Sequence, residues 1–122
     1  MVDVIRIEDI PAVPVGGDGG DVQVRRFITA ETVGAKGLGG EDHFLTAGAS
    51  SQRFRLDGGR QFFYVQAGQA EAQLGELRQT VRAGHGLFAD PGEECRFNSA
   101  GEEGLRFLRL TVPPAPDLNS GD

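Results

Sequence analysis

Between turn signals the chain alternates apolar and polar positions with a period of two. Val22, Val24, Arg26 and Ile28 stand on one side of such a run, with Gln23, Arg25 and Phe27 on the other. Ala70, Ala72 and Leu74 alternate with Glu71 and Gln73, and Leu77, Gln79 and Val81 with Arg78, Thr80 and Arg82. That period belongs to half-buried strands, whose successive side chains point to opposite faces. The same reading predicts further strands over 41–47, 51–56, 61–67, 86–89, 94–98 and 105–112. Nineteen glycines and six prolines, spread along the chain, leave segments too short for stable helices. Turns are expected at Gly58-Gly59, Gly75-Glu76, Asp90-Pro91-Gly92 and Ala100-Gly101-Glu102, where the residue types tolerate tight backbone conformations. Short strands spaced roughly ten residues apart predict an all-β antiparallel sandwich or barrel of about eight to ten strands.

The 122 residues suffice for one domain and not for two. Residues 1–21 read as an N-terminal extended segment ending in the Gly16–Gly20 loop, 22–113 as a single β-barrel domain, and 114–122 as a flexible tail. The window 29–40 holds either a short helical turn or a loop over one mouth of the barrel. No apolar run approaches the ~18 residues of a membrane helix, and the N-terminus lacks a signal pattern, so a soluble, cytoplasmic protein is expected. A net charge of −6 and a pI near 4.8 exclude the basic face that nucleic acid or an anionic membrane requires. The single Cys95 excludes an intrachain disulfide.

Two central blocks resemble the cupin superfamily of small jelly-roll barrels, also described as double-stranded β-helices. The first family motif, G-x5-H-x-H-x3-4-E-x6-G, falls on the stretch from Gly48 to Gly68; the second, G-x5-P-x-G-x2-H-x3-N, falls on Gly84 to Ser99. Gly48, Gly68, Gly84 and Gly92 stand at the motif's glycine offsets. The motif's usual metal ligands do not. Its histidine positions fall on Phe54 and Leu56, its glutamate on Gln61 and its last histidine on Cys95, while Ser99 takes the asparagine position. The shorter register puts Arg55 and Asp57 at the histidine positions and supplies no imidazole either. A zinc or iron(II) site needs three or four converging N/O/S donors, so no metal and no cofactor is expected. Of the two histidines, His85 reads as an exposed turn residue and His43 as a strand residue that could face the lumen.

With the former ligand positions inward, strand alternation adds Gln52, Phe63, Val65, Phe97 and Ser99 to the lining, beside Phe54, Leu56, Gln61 and Cys95. Two readings of this interior stand open: an apolar pocket for a small hydrophobic molecule oriented by a few polar tips, or a barrel filled by its own side chains. Gln61 is the candidate catalytic residue, polarising a carbonyl with help from Gln52, and Cys95 is a candidate nucleophile set against its role as a small apolar filler. Arg53 or Arg55 at the mouth could grip a carboxylate or enolate oxygen, against solvated ion pairs as the plain alternative.

The resemblance implies a wide range of activities, and the stand-alone size is similar to that of small cupins of bacterial specialised-metabolite pathways. Without metal ligands the expected function is a metal-independent cyclase or isomerase, pericyclic or dehydrating steps included. Its substrate would be a hydrophobic biosynthetic intermediate such as a polyketide. A non-catalytic cupin that binds or senses a small molecule is the alternative, and a structural partner with a filled barrel is a third. The resemblance also implies a homodimer, with 2–15 as the interface segment.

Overall fold

The computed structural model describes residues 4–15, 21–29 and 37–114. After a 3-10 turn at Ile7–Asp9 come ten strands: β1 (Val13–Pro14), β2 (Val22–Ile28), β3 (Gly39–Leu45), β4 (Phe54–Arg55), β5 (Arg60–Ala67), β6 (Gln69–Leu74), β7 (Leu77–Arg82), β8 (Gly86–Ala89), β9 (Glu94–Ala100) and β10 (Leu105–Val112). A six-stranded sheet runs β1-β2-β3-β10-β5-β8 and a four-stranded sheet β4-β9-β6-β7. Every pairing between them is antiparallel. This is an all-β jelly-roll barrel of the cupin type. The motif glycines explain themselves locally: Gly48, Gly68, Gly84 and Gly92 all have φ between +81° and +92°, where an L side chain is strained. At Gly68 a Cβ would also run into the carbonyl oxygen of Gly104.

Register decides what meets inside. Across the larger sheet, Glu41, Arg109 and Phe63 share one inward row, His43, Phe107 and Val65 the next, and Leu45 with Leu105 the one after. Thr111 and Gln61 form a further row on the Glu41 side. From the smaller sheet Phe54 pairs with Cys95, Phe97 with Ala72 and Ser99 with Ala70. Phe54, Phe63, Phe97 and Phe107 form a ring cluster with centroids 4.5–6.4 Å apart, each at most 2% exposed. Burying each such ring contributes about 1.5–3 kcal/mol.

Three expectations are corrected. Phe27 does not oppose Val24: the register shifts between Arg26 and Ile28, and this irregularity buries both Val24 and Phe27. Strand β7 is an edge strand, so Leu77 stays 72% exposed, Gln79 is exposed too, and only Val81 of its alternating set reaches the core. The strand expected over 51–56 shrinks to the two residues of β4, with Ser50 bridging Asn98 alone. Part of the N-terminal segment is more than extended chain, since Val13–Pro14 pairs with β2. The Gly16–Gly20 loop, residues 30–36 of the 29–40 window, and 115–122 of the tail lie outside the described residues.

Candidate functional site

The inner rows are not alike. One end of the barrel interior carries a hydrogen-bonded polar cluster, built from β3, β5 and β10. Glu41, His43 and Arg109 reach it because each occupies an inward slot of its strand's alternation, and Gln61 does the same on β5. All four are at most 3% exposed.

His43 donates from Nε2 to Glu41 Oε1 at 2.8 Å. Arg109 donates from Nη1 to the same oxygen at 3.0 Å. Arg109 also donates from Nε and Nη2 to Gln61 Oε1, at 2.9 and 2.6 Å. Gln61 in turn donates from Nε2 to the carbonyl of Phe54 at 3.2 Å. The Phe54 ring lies under the guanidinium, its centroid 4.7 Å from Cζ, a cation–π contact. His43 stacks on Phe107 at 4.9 Å and meets Phe54 edge-on at 5.1 Å. On the other side, Arg26 Nε stands 3.8 Å from Glu41 Oε2.

The electrostatics follow from this geometry. Burial alone would raise the Glu41 carboxyl, but the hydrogen bond and charge of His43, then the charge and hydrogen bond of Arg109, outweigh it and hold the group below its usual value. Glu41 is therefore ionised and accepts from both neighbours. Burial pushes the Cys95 thiol up to about 12, only partly opposed by the Arg109 charge. Among the described residues, Glu41 Oε2 and His43 Nδ1 at this end and Ser99 Oγ elsewhere in the core are buried without a hydrogen-bond partner. Since Nε2 donates to Glu41, Nδ1 is the nitrogen left to exchange a proton with anything else.

The site residues expected from sequence fall into three groups. Phe54, Phe63, Val65, Cys95, Phe97 and Ser99 are buried, with His43 and Gln61 among them, so all eight sit in the interior. Gln52 and Leu56 are only half-buried, because β4 is too short to carry its alternation out to them. Gln61 has both its oxygen and one N–H engaged within the protein, which makes it a support for Arg109 more than a free carbonyl-polarising amide. Cys95 is protonated at neutral pH and so is not a ready nucleophile. Arg55 pairs with Asp57 at 2.7 Å on the surface. Arg53 lines a surface pocket of about 140 Å³ with Gln73, Gly75, Glu94 and Arg96. His85 is an exposed turn residue whose Nδ1 accepts from the Arg82 backbone N–H.

Sequence reading missed Arg109 and the inward role of Glu41. A signal was present: Leu105, Phe107, Arg109 and Thr111 keep period two on β10, as Glu41, His43 and Leu45 do on β3. On β10 the signal was masked by Leu108 and Leu110, which make the opposite face look equally apolar.

The donor chemistry does not fit a metal ion of the kind the fold family uses. Phe54 and Leu56 offer no donor atom, the Gln61 oxygen faces a guanidinium, and Cys95 holds its proton. Glu41 and His43 are engaged with each other beside the fixed positive charge of Arg109. Among the described residues no group of three or more His, Cys, Asp or Glu side chains converges.

Solved structures with this fold include a predicted oxalate decarboxylase from Thermotoga maritima, at 21% identity and TM-score 0.80 over 91% of this chain and 99% of that one. The polyketide cyclase RemF from Streptomyces resistomycificus is similar at 20% identity and TM-score 0.78, over 96% of this chain and 83% of that one. KdgF from Halomonas sp. is similar at 15% identity and TM-score 0.75, over 88% and 92%. These likenesses speak for the fold. A search of curated protein sequences found no match. Residues 45–118, more than half of the chain, match the family model of the AraC-like ligand binding domain. The chain thus belongs to the family of AraC-like ligand binding domains, a cupin-type domain of the cupin superfamily.

Proposed function

We propose that this cupin binds a small organic carbonyl compound in its barrel and moves a proton on it without a metal, as an isomerase or cyclase. One observation carries the reading: an ionised Glu41 holds His43 through Nε2 and leaves Nδ1 buried and unpaired. A carboxylate that orients an imidazole and stabilises its protonated form is the arrangement general acid–base catalysis needs. In this reading His43 Nδ1 takes a proton from the carbon beside a carbonyl, and the C–H electron pair passes into an enolate. Arg109 N–H groups stabilise the enolate oxygen. Return of the proton to another carbon completes an isomerisation. Attack of the enolate carbon on a second carbonyl of the same molecule, with proton return to the new alkoxide, completes a cyclisation. Phe54, Leu56, Phe63, Val65 and Phe97 would hold the apolar body, with Gln52 and Ser99 as polar tips.

A second reading, binding or sensing without turnover, is supported by the family's description as a ligand binding domain and by the close ring packing around His43. One experiment separates them. A panel of neutral enolisable aryl ketones, phenylacetone first, is incubated with the protein in D2O and followed by proton NMR. Deuterium incorporation faster than in buffer, lost in His43→Gln with the β spectrum retained, supports proton transfer. Binding without exchange supports the second reading, and neither binding nor exchange across the panel overturns both. The reading includes a homodimer, supported by the exposed Phe62, Tyr64 and Phe88 on the outer face of the larger sheet. Sedimentation at micromolar concentration tests it. Among the described residues no helix is long and apolar enough to cross a membrane.

A further inference from the structure

Arg53 takes no part in the barrel interior, yet it stands where the smaller sheet is irregular. Phe54 opposes Cys95 while Ser50 bridges Asn98, so the chain from Ser50 to Phe54 is one residue longer than the stretch of β9 that faces it. Such an extra residue is a β-bulge, which re-aims the side chains beside it. Phe54 and Cys95 point into the core, so Arg96, next along β9, points to the outer face, where Gln73 of β6 is its cross-strand neighbour. Arg53, Gln73, Gly75, Glu94 and Arg96 together line a pocket of about 140 Å³ on that face. Its polar side chains are little used by the protein itself. Arg96 donates from Nε to the Ser51 carbonyl oxygen at 3.3 Å, and its two terminal nitrogens have no acceptor among the described residues. The side chains of Arg53, Gln73 and Glu94 have no hydrogen bond or ion pair among the described residues. Other arginines of this sheet differ: Arg55 lies 2.7 Å from Asp57 and Arg78 3.8 Å from Glu71. Two guanidiniums that border one pocket repel each other, and the single carboxylate of Glu94 leaves one positive charge over. This local excess lies in a chain whose net charge is −6.

We propose that this outer pocket binds a small oxyanion, a phosphate or carboxylate group, between Arg53 and Arg96, with the Gln73 amide as a further donor. The site lies on the far side of the β4–β9 ladder from the Glu41–Arg109 cluster and does not rest on the reading of the barrel interior. Guanidinium N–H groups make charge-assisted bonds to both kinds of anion, roughly twice as strong as neutral ones. Size limits the occupant. Liquid water takes about 30 Å³ per molecule, so the pocket suits a group of about five heavy atoms and falls short of the roughly 300 Å³ at which pockets for drug-sized molecules begin. Glu94 borders the same space and works against the anion, which gives the test its sign.

Proton–nitrogen correlation NMR of the wild-type protein, titrated at constant ionic strength with inorganic phosphate, acetate or chloride, tests this. The expected result is a saturable shift of the Gly75 backbone amide and the Gln73 side-chain amide with phosphate, acetate or both, and no matching shift with chloride. Whichever oxyanion binds more tightly names the kind of group the pocket takes. Arg53→Gln, a change at an exposed residue, should weaken binding about three- to tenfold, and Glu94→Gln should tighten it. No saturable shift with either oxyanion, shifts confined to residues away from the pocket, equal shifts with chloride, or unchanged affinity in Arg53→Gln overturns the inference. Should a variant not fold, the wild-type titration still decides, because it reports both the location of the shifts and the preference over chloride.

Discussion

The two ends of the barrel interior are equally buried and held together by different physics. At one end Phe97, Phe107, Leu45 and Leu105 are all 0% exposed and meet through dispersion and area. At the other, Gln61, Arg109, Glu41 and His43 are as inaccessible, yet each is tolerable there only because of the next. Removing part of the first end costs roughly in proportion to what is removed. Removing one member of the second strands its partners without water, so single changes overstate what the group as a whole contributes. Burial by itself therefore does not say what a residue does; the pattern of mutual dependence does.

The largest effect should come from the apolar end. Phe97 packs 4.5 Å from Phe107 and 5.2 Å from Phe63, centroid to centroid. Phe97→Ala should cost about 3–5 kcal/mol in urea unfolding. Arg109→Met should cost about 3 kcal/mol or more, because the buried Glu41 Oε1 loses the Arg109 N–H that donates to it. The sharper comparison is the double variant Glu41→Leu with Arg109→Met. It should recover most of that loss, whereas additivity of the two single costs would break the claim that the polar end acts as one unit.

A smaller effect is set by pH. The Glu41 carboxyl lies below its ordinary value of 4.5 when folded, so its contribution to stability is complete above that value and disappears as pH falls through the folded one. Urea midpoints taken from about pH 7 down to about pH 3 should fall on the acid side, and Glu41→Gln should flatten that limb. An unchanged acid limb in the variant would show that other carboxylates govern it. The smallest effect belongs to Cys95, at the boundary between the two ends. Its folded value is raised from 9.0 to about 12, so the unfolded chain ionises first and stability declines as pH rises between those values. In the folded protein the thiol should resist iodoacetamide at neutral pH and react once urea unfolds the chain. Rapid labelling of the native protein would mean that the polar end admits reagents and lowers the thiol more than its burial implies.

Much of this was legible in the chain itself. Strands β5, β6, β8 and β10 sit within a residue of where alternation and turn residues put them, and Gly68 and Gly92 mark backbone conformations that other residues resist. The inward side of β5 was readable because the motif puts Gln61 at a former ligand position and Phe63 and Val65 follow it at period two; Phe62 and Tyr64 make the opposite face look as apolar. Other features were not. Phe27 turned inward through an irregularity that one residue's shift creates, and such a shift leaves no mark in hydropathy. Arg109 was missed because residues 105–112 are apolar on both faces except at the arginines and a threonine.

By itself, then, the sequence determined the local part: strands, turns and the loss of imidazole and carboxylate from the motif positions. Each of these depends on a residue and its near neighbours, through side-chain alternation, backbone strain and the presence or absence of a donor atom. Only the tertiary structure decided that Glu41, His43, Gln61 and Arg109 share one buried site. Arg109 stands 48 residues from Gln61 and 68 from Glu41 in the chain. Hydrogen bonding across strands that far apart is fixed by sheet order and register, and those emerge only when the two sheets close over a common core.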